Sequence, residues 1–74
     1  MAPRLPTIAS AKALAAVEQA GFVRVSQRGS HVKLRNVEGV VLTIPMHGGD
    51  IKRPLLSALI KQAGLKEDQF RTFL

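Results

Sequence analysis

Three residues that could take part in phosphate chemistry occupy alternate positions of one short segment: His31, Lys33 and Arg35. Strict alternation of polar and apolar residues is typical of a half-buried strand, whose successive side chains point to opposite faces. If the two apolar residues between them point to a core, the three polar side chains share the open face, about 7 Å apart. Cations hold phosphate oxygens, and an imidazole can exchange a proton near neutral pH, so this row fits a phosphodiester. The alternative is an ordinary solvated sheet surface, where charged residues are expected.

The only other histidine, His47, lies in the loop segment 46–49. A shared metal site would need His31 and His47 to converge with Asp50 as a third ligand, and their spacing does not favour that arrangement. No metal site is therefore predicted. We expect His47 to cap the helix that follows, with a secondary part in acid/base chemistry as the alternative.

The charge distribution favours a polyanionic partner. Eleven Lys and Arg against five Asp and Glu give a net charge of +6. No acid occurs between Glu18 and Glu38, a stretch that holds four cations: Arg24, Arg28, Lys33 and Arg35. Such a basic patch on a small domain is the electrostatic footprint of a nucleic acid or of an acidic protein.

Length and composition limit the class of protein. A chain of 74 residues with 46% apolar residues predicts one folded domain over residues 1–74. Without cysteine, neither a disulfide-rich secreted domain nor a zinc finger is expected. No apolar run approaches the roughly 18 residues of a membrane span, and residues 1–6 predict an extended or disordered lead-in without a signal peptide. The expectation is a cytoplasmic protein without a membrane partner.

Apolar residues at helical spacing predict two helices, each ended by a glycine. The first covers Ile8–Ala20, with Thr7 or Ser10 as N-cap. The second begins at Ile51 or Arg53 and ends at Ala63, with Pro54 in its first turn. Its predicted core stripe is Leu55, Leu56, Leu59, Ile60 and Ala63. One more helical turn is predicted around 67–70, from which Phe70 and Leu74 would pack back onto the core.

Three strands are predicted between the helices: Phe22–Ser26, His31–Arg35 and Val40–Ile44. Turns at 28–30 and 36–39 connect them, and Pro45 is expected to stop the third strand. The predicted fold is therefore α+β in the order α-β-β-β-α, with a three-stranded antiparallel sheet and both helices on one face.

Several short motifs then resemble one family, and they occur in its order and at its spacing. They are Ala20-Gly21-Phe22, Gly29-Ser30-His31, Ile44-Pro45-Met46-His47, the segment 59–65 and Phe70. From about Ser10 to Phe70 the chain strongly resembles the HicA (YcfA-like) toxins, small bacterial mRNA interferases of type II toxin–antitoxin systems. The resemblance implies a double-stranded-RNA-binding-domain-like fold, a catalytic histidine at His31 and a HicB antitoxin that covers the active face.

The leading functional hypothesis is an endoribonuclease toxin, which is expected to need no metal or other cofactor because the chain has no cysteine and no convergent carboxylates. His31 would act as general base or acid on RNA, whose own 2′-OH supplies the nucleophile. The expected RNA-binding residues are Arg28, Gly29, Ser30, Lys33 and Arg35. Gly29 would allow the turn that presents His31, and Ser30 would orient it. The toxin would be a monomer when free and part of a hetero-oligomer with a HicB-type antitoxin.

One motif departs from the family pattern at the start of the second helix. Pro54-Leu55-Leu56 stands where the family usually has Gly-Thr-Leu, so any role of that threonine does not transfer.

Two other functions stay open. The main alternative is a non-catalytic RNA-binding module of the same fold that recognises A-form backbone by shape. A DNA-binding repressor subunit is less favoured, because no helix-turn-helix is apparent.

Overall fold

The computed structural model describes residues 7–46 and 48–74, which form five strands and three helices. In chain order these are β1 (Ile8–Ala9), α1 (Ser10–Gln19), β2 (Val23–Arg28), β3 (His31–Arg35), β4 (Val41–Pro45), β5 (Asp50–Ile51), α2 (Arg53–Gln62) and α3 (Glu67–Arg71).

The centre of the fold is an antiparallel sheet in the order β2-β3-β4. Only one side of this sheet is covered by the hydrophobic core. Alternate residues of β3 and β4 are at most 2% exposed, whereas their neighbours in each strand are exposed or half-buried. The buried residues are Val32, Leu34, Leu42 and Ile44. Residues of both long helices and the ring of Phe70 belong to the same buried cluster. The predicted α-β-β-β-α order, with the helices covering one face of the sheet, is confirmed.

Strand β3 has the predicted bounds, whereas its two neighbours are displaced. β2 begins one residue later than expected and continues to Arg28, and β4 runs through Pro45, which was expected to stop it. The Met46 N–H donates to the Ser30 carbonyl. This bond makes His31 and Pro45 a non-hydrogen-bonded pair, so the nitrogen of Pro45 points away from β3. Proline is tolerated there because β4 is an edge strand.

The start of α1 corrects the predicted helix over Ile8–Ala20. Ile8 and Ala9 form β1, which pairs antiparallel with β5. The N-cap is Ala9, without a side-chain cap, so neither predicted N-cap residue caps the helix. The Ser10 hydroxyl instead donates to the Gly49 carbonyl at 3.2 Å, and the Thr7 hydroxyl donates to Asp50 Oδ2 at 3.4 Å. Both hydroxyls therefore tie the start of α1 to the chain before α2.

Both long helices end in the same backbone motif. After α1 the backbone N–H groups of Gly21 and Phe22 donate to the carbonyl oxygens of Glu18 and Val17, respectively. The N–H groups of Gly64 and Leu65 make the same pair of bonds after α2. This is the Schellman arrangement, with a glycine directly after the C-cap as predicted. At its other end α2 begins at Arg53, the later of the two predicted starts, and Pro54 lies in its first turn.

Two predicted core residues lie at the surface. Leu55 is 42% exposed because it lies on the outer side of the first turn of α2, and Leu74, the last residue, is 50% exposed. Phe70 of α3 is buried as predicted, and the partly buried Phe73 packs where Leu74 was expected. No helix in the described part of the chain is long and apolar enough to cross a membrane.

Candidate functional site

The sheet side that faces away from the helices carries three rows of side chains, which we call the open face. Residues paired across an antiparallel sheet point to the same side, so the pairing assigns its members. The upper row is Arg28, His31 and Pro45, the middle row is Ser26, Lys33 and Thr43, and the lower row is Val23, Arg35 and Val41. None of these nine residues is acidic.

A two-residue turn presents His31 at the top of this face. Gly29 and Ser30 join β2 to β3, and Gly29 has a φ of 55° whereas Ser30 has a negative φ. A positive φ at the first central residue only is the pattern of a type II′ turn, whose twist suits a hairpin. Gln27 Nε2 donates to the Gly29 carbonyl at 3.1 Å and further fixes the turn. Arg28 and His31 are therefore held as the last pair before the turn.

The upper and middle rows form an open groove of about 550 Å³, lined by Ser26, Arg28, His31, Lys33 and Thr43. It contains two cations, one imidazole and two hydroxyl groups. All five residues are exposed. Within residues 7–46 and 48–74, no acidic side chain forms an ion pair with a residue of the groove. Two free cations beside an imidazole attract a phosphate group. The imidazole remains accessible to the groups that are bonded to that phosphate.

Arg24 is separated from the other cations of the acid-free stretch by an irregularity in β2. The register shifts between Arg24 and Ser26, so Arg24 pairs with Leu34, whose side chain faces the core side. From there Arg24 Nε reaches Glu18 Oε2 of α1 at 3.3 Å. The bulge therefore removes one cation from the open face and places Val23 there, opposite Arg35.

The structure brings some of the predicted site residues together and separates others. His31, Lys33 and Arg28 line the groove, and Arg35 lies on the same face one row further along. Gly29 and Ser30 form the turn, where Ser30 contributes its carbonyl to Met46 and its side chain is not part of the groove. His47 lies outside the described residues, as does the predicted lead-in.

Two groove residues, Thr43 and Ser26, were not predicted. Thr43 alternates with the buried Leu42 and Ile44, so the same alternation that selected His31 could have found it. Ser26 depends on the bulge and carries no comparable signal. In residues 7–46 and 48–74 no three His, Asp or Glu side chains form a cluster suited to a metal ion.

The fold and this face together define a small α+β domain in the layout of double-stranded-RNA-binding-like domains, with a basic open sheet. The chain belongs to the HicA toxin family, because the profile of the family described as "HicA toxin of bacterial toxin-antitoxin" matches residues 10–65. Membership implies an antitoxin partner. A comparison with curated proteins found no match.

Proposed function

We propose that this toxin is a metal-independent endoribonuclease that cleaves mRNA and that His31 transfers a proton in the reaction. The observation that carries the proposal is the groove, in which an accessible imidazole has Arg28 across one strand pair and Lys33 two residues along its own strand. These side chains can supply a proton-transfer group and the charge that binds phosphate, and the RNA substrate supplies its own nucleophile.

In the proposed reaction His31 accepts the proton of a 2′-OH, and the 2′ oxygen forms a bond to the adjacent phosphorus. The bond from phosphorus to the 5′ oxygen breaks, and that oxygen leaves with a proton from a second group. The products are a 2′,3′-cyclic phosphate and a free 5′-OH. For the second group the sequence offers Lys33 and His47.

The cations of the groove have a separate part in this mechanism. As the 2′ oxygen attacks, negative charge accumulates on the non-bridging phosphate oxygens. Arg28 and Lys33 approach the phosphate from two sides of His31 and stabilise that charge, an effect that grows where water is displaced. Ser26 and Thr43 flank Lys33 with hydroxyl groups that can bond to the sugar–phosphate backbone.

The antitoxin in this proposal is of the HicB type, and it inhibits by covering the groove. A chain with a net charge of +6 favours an acidic partner surface, because opposite charges accelerate association and fix its orientation. The free toxin is a monomeric domain spanning residues 1–74 that acts on cytoplasmic mRNA.

The test is a cleavage assay with the purified chain, single-stranded RNA and excess EDTA. We expect fragments that end in a 2′,3′-cyclic phosphate and begin with a 5′-OH. Expression in a bacterial host should be toxic, and co-expression of a cognate HicB-type antitoxin should relieve the toxicity. RNA binding without cleavage or toxicity would favour the non-catalytic RNA-binding module instead.

A further inference from the structure

The lower row of the open face combines a cation with two exposed apolar side chains. Arg35 on β3 pairs with Val23 on one side and Val41 on the other. Val23 is 65% exposed and Val41 is 38% exposed. The β propensity of valine accounts for its presence in strands. The lower row nevertheless differs from the groove, because two exposed apolar side chains flank its arginine while hydroxyl groups flank Lys33 in the middle row.

The bulge in β2 creates this arrangement. If β2 had no bulge, strict alternation counted back from Arg28 would place Arg24 on the open face and Val23 on the core side. The register shift exchanges them, so the residue opposite Arg35 is a valine and not a second arginine. The result is a row two strand spacings wide, about 10 Å, with Arg35 on its central strand and a valine on each outer strand.

We propose that Val23, Arg35 and Val41 form a nucleobase subsite for single-stranded RNA, an inference that rests on the proposed function. Unpaired bases stack on aromatic side chains or on the plane of an arginine guanidinium, and they also pack against apolar side chains. A planar guanidinium can donate hydrogen bonds to base edges as well. An A-form duplex does not present its base faces in this way. The subsite therefore selects an unpaired nucleotide.

The position of the row along β3 matches a bound RNA strand. His31, Lys33 and Arg35 follow one another at intervals of about 7 Å, comparable with the spacing of phosphates in an extended RNA strand. A strand running along β3 places the scissile phosphate at His31, the next phosphate at Lys33 and a base on the lower row. Charge favours RNA over an apolar protein segment here, because all three rows carry a cation and none carries an acid.

The one acidic residue close to this row in sequence is Glu38, in the turn after β3. In the described part of the chain it forms no ion pair with Arg35. The turn is held by Asn36 Oδ1, which accepts from the N–H groups of Glu38 and Val40 at 3.0 Å and 2.9 Å. Arg35 therefore keeps its donors for a ligand.

The experiment compares two short oligonucleotides that share one backbone: a 2′-O-methyl RNA, which lacks the nucleophile and stays intact, and the same strand with every base removed. Binding of each is measured to the wild type, to Arg35→Lys and to the double variant Val23→Thr/Val41→Thr. Lysine keeps the charge without the planar surface, and threonine keeps the branched shape without the second methyl. Val37→Thr is the matched control, since Val37 is 100% exposed but lies in the turn outside the open face.

We expect the wild type and the control to bind the strand with bases about tenfold more tightly than the abasic strand, near the lower limit for a base stacked on an aromatic side chain. Arg35→Lys and the double valine variant should lose most of this difference while keeping their affinity for the abasic strand. Equal binding of the two strands by the wild type would overturn the subsite and leave the proposed function standing. If the wild type bound neither strand, both would be contradicted. An unchanged difference in the valine variant, with weaker binding of the antitoxin, would assign the row to the protein partner and overturn the proposal.

Discussion

His31 and Arg28 lie directly opposite each other as the last residue pair before the β2–β3 turn. The pairing holds the two backbones about one strand spacing apart, so that both side chains line the same groove. The site consists of this pair and Lys33, two residues further along β3, on an open face whose three rows contain no acidic residue.

Arg28 should contribute to RNA affinity, whereas Arg24 should not. The two arginines lie on the same strand, but Arg28 lines the groove and Arg24 pairs with Glu18 on the other side of the sheet. Arg28→Gln should weaken RNA binding and reduce the slope of log affinity against log salt by about 0.7, the value for one phosphate contact on a single strand. Arg24→Gln removes the same charge and breaks only an exposed ion pair, which stabilises folded proteins little. Equal losses in the two variants would show that net charge, and not the groove, governs binding.

Gly29→Ala should destabilise the fold. The φ of 55° costs a residue with a Cβ on the order of 1–2 kcal/mol, although nothing lies within 4 Å of the position that this Cβ would take. A loss of this size in so small a domain corresponds to a decrease in Tm of about 4–8 °C per kcal/mol. Gly29→Asn should recover part of the loss, because asparagine is among the residues that primed hairpin turns accept. An unchanged Tm for Gly29→Ala would mean that the turn adopts another geometry in solution.

The part of the site that the sequence predicted is the part that depends on local alternation. Strand β3 and the exposure of His31, Lys33 and Arg35 follow from a strict period of two in a five-residue segment. The bulge in β2 has no such signal, so the sequence alone groups Arg24 with the other cations. The β1–β5 ladder joins Ile8 to Ile51, and no local pattern could indicate that pairing of distant residues. For this reason the sequence pattern places Ile8 in the helix.

Cleavage should not depend on an added metal ion. The proposed chemistry needs proton transfer and cationic side chains only, and His31, Lys33 and Arg28 supply both. RNA cleavage rates measured before and after dialysis against EDTA should therefore agree. Activity lost on dialysis and restored by magnesium or zinc would contradict the mechanism.

RNA and the antitoxin should compete for the open face. If the antitoxin covers the groove, the purified toxin–antitoxin complex should not bind single-stranded RNA, and Lys33→Glu should weaken both associations because one cation serves both ligands. Lys12→Glu is the matched control, since this exposed lysine lies on α1. A ternary complex of toxin, antitoxin and RNA would show that the two ligands use different surfaces.

The most direct test of the account is the rate of RNA cleavage by His31→Ala, measured together with its stability and RNA affinity. The side chain of His31 is exposed, so its loss opens no cavity and should change the free energy of unfolding by less than about 1 kcal/mol. Arg28 and Lys33 should preserve most of the affinity for RNA, while cleavage should fall by roughly 100-fold or more because the proton-transfer group is missing. His47→Ala, the matched change at the other histidine, should have a smaller effect if His47 only caps its loop, whereas an equally large loss would identify His47 as the second proton-transfer group. A folded His31→Ala protein that cleaves RNA at the wild-type rate would contradict the account.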